Sequence, residues 1–429
     1  MQTINYPIYG EKLLVSQLNN GLMVYIQPKP GFNKTTAVLG VNYGSIDRSF
    51  QLGNQTIIQP AGIAHFLEHK MFDKKDYDVF ELFNQTGAAS NAYTSFTNTN
   101  YLFSTTEAFK ENLMILLDFV QTPYFTAAKV EREKGIIDQE INMYQNNPDN
   151  QAYFKTVNAL YPASPLSSDI AGTISTVNQI RLKDIELAYQ TFYRPDNMSL
   201  FITGKVDPQE TLDWISENQQ AKSWGSQPSV SRQLDLSQDQ PENRHFVNMT
   251  VSRPKTMIGI RGNDSVPTGR LGLKYEIALS LMFDLFFSEN ADEYDKLYHD
   301  EIIDDSFSWE FENERGFHFA LLGGDTDHPD EFINRIRTII EQIPEIVKRK
   351  STDFALQKKE QLGNYIQMMD SQEAISSQFD GFLGSPLTIY DEVAILNELT
   401  FQDVVQITQS FLNKASFQEV IIGNTKSRG

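Results

Sequence analysis

The sequence predicts an α+β protein built from two homologous α/β half-domains, each a mainly antiparallel sheet with helices packed on it, joined by a linker and arising from internal duplication. Three observations predict it. A stretch at the end of the first half recurs at the end of the second. A polar segment lacking periodicity lies between them. Strand-like segments group with strand-like ones and helix-like with helix-like ones, unlike a strictly alternating parallel fold.

The repeat aligns residues 178–204 with 397–423 without a gap, at an offset of 219. Asn178/Asn397, Asp184/Asp403, Gln190/Gln409, Phe192/Phe411, Ile202/Ile421 and Gly204/Gly423 are identical. Apolar character is kept at Ile180/Leu399, Leu182/Phe401, Ile185/Val404 and Phe201/Val420. Each copy reads as an amphipathic helix followed by a buried strand ending at glycine. Residues 223–243, rich in Ser, Gln and Pro, read as the linker. The halves are then residues 1–222 and 244–429, each long enough for its own core.

Along the first half, GLMVYIQPK and TTAVLGVNYGS read as strands, 60–72 as a helix, 91–104 as strand, 107–121 as an amphipathic helix and about 127–146 as a long helix. In the second, RHFVNMTV, KTMIGIRG, SFSWEFE and HFALLGG read as strands. Residues 271–287, 330–347 and 352–376 read as helices.

Composition excludes several functions. Of 429 residues, 40% are apolar and 21% charged, the balance of a globular protein. No run approaches the roughly 18 uncharged apolar residues of a membrane helix. The first residues show no basic region followed by an apolar stretch, so the expected location is cytoplasmic. With 36 Lys+Arg against 56 Asp+Glu, the net charge is −20. Neither a nucleic acid nor a membrane surface is an expected partner, because both demand clustered positive charge. There is no cysteine, which removes disulfides, thiolate nucleophiles and thiolate metal sites.

With six histidines in the chain, His65-Phe66-Leu67-Glu68-His69 stands out. Pro60 suits a first helical turn. Ile63, Leu67 and Met71, four apart, form the stripe that packs inward. His65 and His69 are also four apart and stack one turn apart on a neighbouring face, where two imidazoles can bind one zinc ion. Glu68 projects to the same side and can reach a metal-bound water without being a ligand. The plainer reading is two surface histidines and a glutamate on a solvated helix. H-x-x-E-H is the inverse of H-E-x-x-H. A catalytic zinc also needs a third protein ligand. The helix VEREKGIIDQEINMYQ offers Glu133 and Glu140, seven apart and so on one face, though glutamates on helices are usually solvated.

Through GIAHFLEHK, SNAYTSFTNTNYLF, EKGIIDQEINMY and YRPDNMSLFITGKVDP, the chain resembles the pitrilysin/insulinase family of inverzincin metallopeptidases. The likeness is closest to the short, mitochondrial-processing-peptidase-like branch and its bacterial YmfH-type group. It runs through nearly all of the first half and more weakly through the second. It implies His65 and His69 as zinc ligands and Glu68 as the catalytic base. It also implies Glu140, 71 residues past His69, as the third ligand, with Glu133 as the supporting catalytic carboxylate. That glutamate would orient a ligating histidine or the substrate end. The strand through Asn91 and Ala92 matches the family's edge strand, where peptides add as an extra strand and these two positions hold the substrate backbone.

The second half carries no H-x-x-E-H; its corresponding helix reads GLKYEIALSLMFDLFF. Self-sufficient relatives carry an Arg and, seven residues on, a Tyr in this half; Tyr298 and Asp305 stand there instead. The resemblance therefore implies a heterodimer with a homologous subunit that supplies Arg and Tyr, with a homodimer as the alternative. Four half-units would enclose a chamber admitting unfolded peptides. Residues 289–314 hold eleven carboxylates and one lysine, read as a solvated face or as a wall attracting basic peptides. The expected function is a zinc endopeptidase hydrolysing unfolded peptides or small peptide precursors. The alternative is a metal-binding, non-catalytic scaffold or processing subunit.

Overall fold

The computed structural model describes residues 1–225, 229–236, 242–382 and 386–424. The chain forms two compact units. The first comprises Met1–Ile141, Asp169–Leu234 and Gln367–Tyr390; the second comprises Asn142–Ser168, Asp235–Ile366 and Asp391–Gly429. Among the described residues, no helix is long and apolar enough to cross a membrane.

The main sheet of the first unit runs Gln2–Tyr6, Glu11–Gln17, Met23–Pro28, Met198–Gly204, Thr35–Val41, Thr99–Thr105 and Ala89–Thr94. The Met23–Pro28 and Met198–Gly204 strands pair in parallel; the other neighbours are antiparallel. The sheet of the second unit runs Asn243–Asn248, Ser416–Gly423, Lys255–Arg261, Phe317–Asp325 and Ser308–Glu314. It too begins with a parallel pair and continues antiparallel. The last five strands of the first sheet therefore repeat in the second with the same pairing and chain order. This is the α+β duplication that the repeat predicts.

The repeat's identities have physical roles. Each copy begins with a helix, Leu182–Phe192 or Phe401–Leu412. The Asp184 carboxylate accepts from the Arg181 N–H at 2.9 Å, and the Asp403 carboxylate accepts from the Thr400 N–H at 2.9 Å. Both aspartates thus satisfy a backbone donor that the helix start leaves unpaired. Phe192 and Phe411 are buried on the inner faces of these helices. The strands that follow, Met198–Gly204 and Ser416–Gly423, are buried along almost their whole length, having neighbours on both edges.

The units interleave in sequence, whereas the halves 1–222 and 244–429 are contiguous. Helix Pro148–Leu160 belongs to the second unit and packs on strands Lys255–Arg261 and Ser416–Gly423. Its backbone approach requires Gly259: a Cβ there would lie 2.5 Å from Thr156 Cγ2. Helix Gln372–Ser377 belongs to the first unit and packs on strands Thr35–Val41 and Met198–Gly204. Phe379 beside it stacks on Phe201 with ring centroids 4.2 Å apart.

Three further differences from the sequence reading have local causes. The hairpin Gln2–Tyr6/Glu11–Gln17 was not expected; it extends the first sheet by antiparallel pairing at its edge. The single strand expected at 91–104 is two, Ala89–Thr94 and Thr99–Thr105, separated by a turn in which Ser95 N–H donates to Asn98 O. The linker contains a strand, Val230–Arg232, paired antiparallel with Phe50–Leu52. Arg232 anchors it through Asp47 at 3.1 Å and the face of Phe192 at 5.5 Å. Linker residues 226–228 and 237–241 lie outside the described residues.

The terminal strand Ser308–Glu314 places Glu310, Glu312 and Glu314 on one face. Burial first, then the charges of Glu314, Glu310 and Glu276, push the Glu312 carboxyl up to about 8. Below that pH the native state holds a proton that the unfolded chain releases near about 4.3. The stability that this group contributes therefore falls as pH rises from about 4 to about 8. Glu312→Gln is expected to flatten that fall and raise the melting temperature at pH 8 by about 2 °C or more. Thermal denaturation of both proteins at pH 5 and pH 8 checks it.

Candidate metal centre

Helix Ile63–Phe72 is anchored by the apolar side of its own sequence: Ile63, Leu67 and Met71 are buried, as are Ala64 and Phe66. The helix begins after Gly62, so Pro60 precedes it instead of opening its first turn. Gly62 has φ +90°, and a Cβ there would lie 2.4 Å from the Ala171 carbonyl oxygen. Reciprocally, a Cβ on Gly172, at φ +77°, would lie 2.6 Å from the Ala61 oxygen. Two glycines thus let the 169–172 loop press against the start of the histidine-bearing helix.

The structure brings His65, His69 and Glu140 together. One donor atom from each lies within 4.8 Å of the other two, and among the described residues no other group of three or more His, Cys, Asp or Glu does so. His65 Nε2 is 3.6 Å from Glu140 Oε1, and His69 Nε2 is 3.5 Å from Glu140 Oε2. Zinc–ligand distances of about 2.0–2.2 Å in a tetrahedron put ligand atoms roughly 3.3–3.6 Å apart. Each imidazole lies about that far from a different Glu140 oxygen, so the three side chains surround a space suited to one ion, with a small turn of the carboxylate bringing a single oxygen toward both. The imidazoles are half-buried, with ring centroids 4.6 Å apart.

Glu133 lies two turns earlier on the helix Ala127–Gln145. Its Oε1 is 3.2 Å from His69 Nδ1. A neutral His69 that donates from Nδ1 keeps the Nε2 lone pair for a metal. Of the two histidines, His69 is the one within hydrogen-bond distance of this carboxylate. Burial works to raise the Glu133 carboxyl, but the hydrogen bonds from His69 and Lys70 and the Lys70 charge outweigh it and hold it below the usual range. Burial works to lower His69, but the Glu133 bond and the charges of Glu140, Glu133 and Glu68 hold the imidazole above its usual value.

Glu68 is 8% exposed, and its Oε2 accepts from Thr94 Oγ1 at 2.6 Å. Nothing in the sequence singles out Thr94; in the structure it is the last of the half-buried positions of Ala89–Thr94, which alternate with exposed ones. That strand ends the seven-stranded sheet and, among the described residues, has one edge with no strand paired to it. It packs against the histidine-bearing helix. Asn91 and Ala92 sit in its middle, and the Asn91 side-chain oxygen accepts the Ala92 N–H at 2.9 Å.

In the second unit, the two positions that depart from the Arg/Tyr pattern bind each other: Tyr298 Oη donates to Asp305 at 3.1 Å. Within the acidic 289–314 stretch, Glu293 pairs with Lys350 and Asp300 with Arg335, both at 2.8 Å, and Asp304 pairs with Arg253.

The family described as Insulinase (Peptidase family M16) matches residues 58–174, and the Peptidase M16 inactive domain matches residues 179–358. The zinc protease YmfH of Bacillus subtilis is 40% identical over 412 residues, 95% of this chain and 96% of that protein. A crystal structure of an M16-like peptidase from Alicyclobacillus acidocaldarius superposes with a TM-score of 0.89 at 31% identity, covering 98% of this chain and 100% of that one. A mitochondrial-processing peptidase subunit beta of Schizosaccharomyces pombe is 27% identical over 270 residues, 62% of this chain and 54% of that protein.

Gly62→Ala places a side chain on a left-handed backbone against the Ala171 oxygen. It is expected to cost about 1–3 kcal/mol and to weaken zinc binding by shifting His65. Gly87→Ala, at φ +70° with open space around it, carries only the backbone strain and is expected to leave zinc binding unchanged. Thermal melts and zinc titration of both variants check this.

Proposed function

The chain belongs to the insulinase family of peptidases, M16, and on that premise we propose that it is a zinc-dependent endopeptidase acting on unfolded peptides or small peptide precursors. One observation carries the reading: three donor atoms converge beside a buried carboxylate and a free sheet edge. His65, His69 and Glu140 would hold the ion. Zinc bound there would supply Lewis acidity, drawing the pKa of water toward about 7 and polarising a peptide carbonyl.

The remaining roles belong to the chain. Thr94 fixes Glu68 through Oε2 and leaves Oε1 to take the proton from the attacking water and return it to the leaving amine. Glu133 holds His69 in the tautomer that presents Nε2. The free edge of Ala89–Thr94 would receive the substrate backbone. Asn91 would there yield the Ala92 N–H, which its side chain occupies, to a peptide carbonyl. Backbone pairing demands little of the peptide's sequence, and it requires the peptide to be extended.

A second reading is supported by the Tyr298–Asp305 pair. Neither side chain carries a guanidinium, and the Tyr298 hydroxyl is engaged by Asp305, so a homologous subunit would supply Arg and Tyr in a heterodimer enclosing the chamber. A homodimer is the alternative, and a processing subunit that binds metal without catalysis is the limiting case.

Metal analysis of wild type and Glu68→Gln is expected to find one zinc per chain in both. Turnover of a quenched, unstructured peptide is expected to fall by about 10²–10⁴-fold in the variant. Stoichiometric zinc without Glu68-dependent turnover would favour the non-catalytic reading. Light scattering and activity of the chain alone, then with a copurifying homologous subunit, test the partner. Turnover is expected to rise at least about tenfold when the subunit is added, and full activity alone would overturn that reading.

A further inference from the structure

Lys70 follows His69 in sequence, yet its side chain is completely buried. A buried ammonium is costly unless several acceptors surround it. It has two carboxylates: Glu133 Oε2 at 3.0 Å and Asp73 Oδ2 at 2.5 Å. The other oxygen of Glu133 faces His69 Nδ1 at 3.2 Å. Asp73 is itself held by Arg132 at 2.8 Å and by Lys129. Donors and acceptors therefore alternate in an unbroken row: His69, Glu133, Lys70, Asp73, then Lys129 and Arg132. The row leaves helix Ile63–Phe72, touches helix Ala127–Gln145 at Glu133, and returns to that helix at Lys129 and Arg132.

We propose that Lys70 is a positioning residue of the metal centre. It ties Glu133 by Oε2, so that Oε1 stays turned to His69 Nδ1 and His69 Nε2 stays turned to Glu140. Resting on the metal-binding reading above, this extends the site beyond the three ligands, the base and the supporting glutamate. The geometry argues for an effect through Glu133 and against simple filling of space. A carboxylate with two bound oxygens has one orientation, whereas one held only by an imidazole can rotate about its terminal bond. The Lys70 ammonium donates to the two carboxylates, so its link to the histidines runs through Glu133.

The test is a double-mutant cycle read as zinc affinity, by competition with a chromophoric chelator at fixed pH. The proteins are wild type, Lys70→Met, Glu133→Ala and the double variant. Absorption spectra of the cobalt-substituted proteins report the ligand field. Lys70→Met is expected to weaken zinc binding about 10–100-fold, the usual cost of losing an outer partner of a metal ligand, and to shift the cobalt bands. In the Glu133→Ala background the same substitution is expected to add less than about twofold, since its route of action is gone.

Zinc affinity of Lys70→Met within about twofold of wild type would overturn the proposal, as would an equal loss in both backgrounds, which marks a packing role. If Lys70→Met does not fold, Asp73→Asn takes its place. It keeps Lys70 and removes its far anchor. A loss of about threefold or more that vanishes with Glu133→Ala supports the proposal, and an unchanged or additive loss overturns it. A wild-type protein that binds no zinc would instead overturn the metal-centre reading itself, so the two failures are distinguishable.

Discussion

The site depends on two helices meeting so that carboxylates of one face imidazoles of the other. Glu133 and Glu140 are two turns apart on Ala127–Gln145, and His65 and His69 one turn apart on Ile63–Phe72. Glu140 meets the Nε2 side of both histidines, while Glu133 meets the Nδ1 side of one. Concentrating three carboxylates, with Glu68, in a half-buried place is unfavourable without positive charge to match. Lys70 supplies one such charge, and a divalent cation is the natural counterpart of the others. The apolar stripe of Ile63–Phe72 and the Gly62–Gly172 contact hold the histidines still while those charges are balanced.

The two units show how one topology serves different chemistry. Their sheets share strand order and pairing, and the capping aspartates and buried phenylalanines recur at matched positions. The helix between the second and third shared strands in chain order differs. In the first unit it is ten residues long and carries the histidines. In the second it is Gly269–Phe287, nineteen residues, with Ile277, Ala278, Leu281, Met282, Leu285 and Phe286 all buried. A helix that is apolar on so much of its surface stabilises a core and leaves no room for ligating groups. Fold and function are thus carried by separate residues of the same elements.

The candidate metal ligands were the most legible part of the site. Spacing along a helix obeys a fixed geometry, so the i, i+4 histidines and the seven-residue glutamate pair could be read directly as faces. The resemblance to a peptidase family then assigned roles that spacing left open between Glu133 and Glu140. Thr94 and Lys70 were not legible. A threonine on a strand and a lysine after a histidine are ordinary in sequence, and their importance comes from partners 26 and 63 residues away.

By itself, the sequence determined the duplication, the α+β class and the helices that bear the candidate ligands, because periodicity and helix capping act between near neighbours. It did not determine which half of the chain each packing segment would cover. Helix Pro148–Leu160 and helix Gln372–Ser377 each join the unit whose sheet comes from the other half of the sequence. Only tertiary structure decided that, and it likewise decided that Glu133 faces His69, that Lys70 is buried between two carboxylates and that Ala89–Thr94 keeps a free edge. The physical reason is common to all four: each is settled by which surfaces and charges find one another across the folded chain, and local spacing carries no information about that.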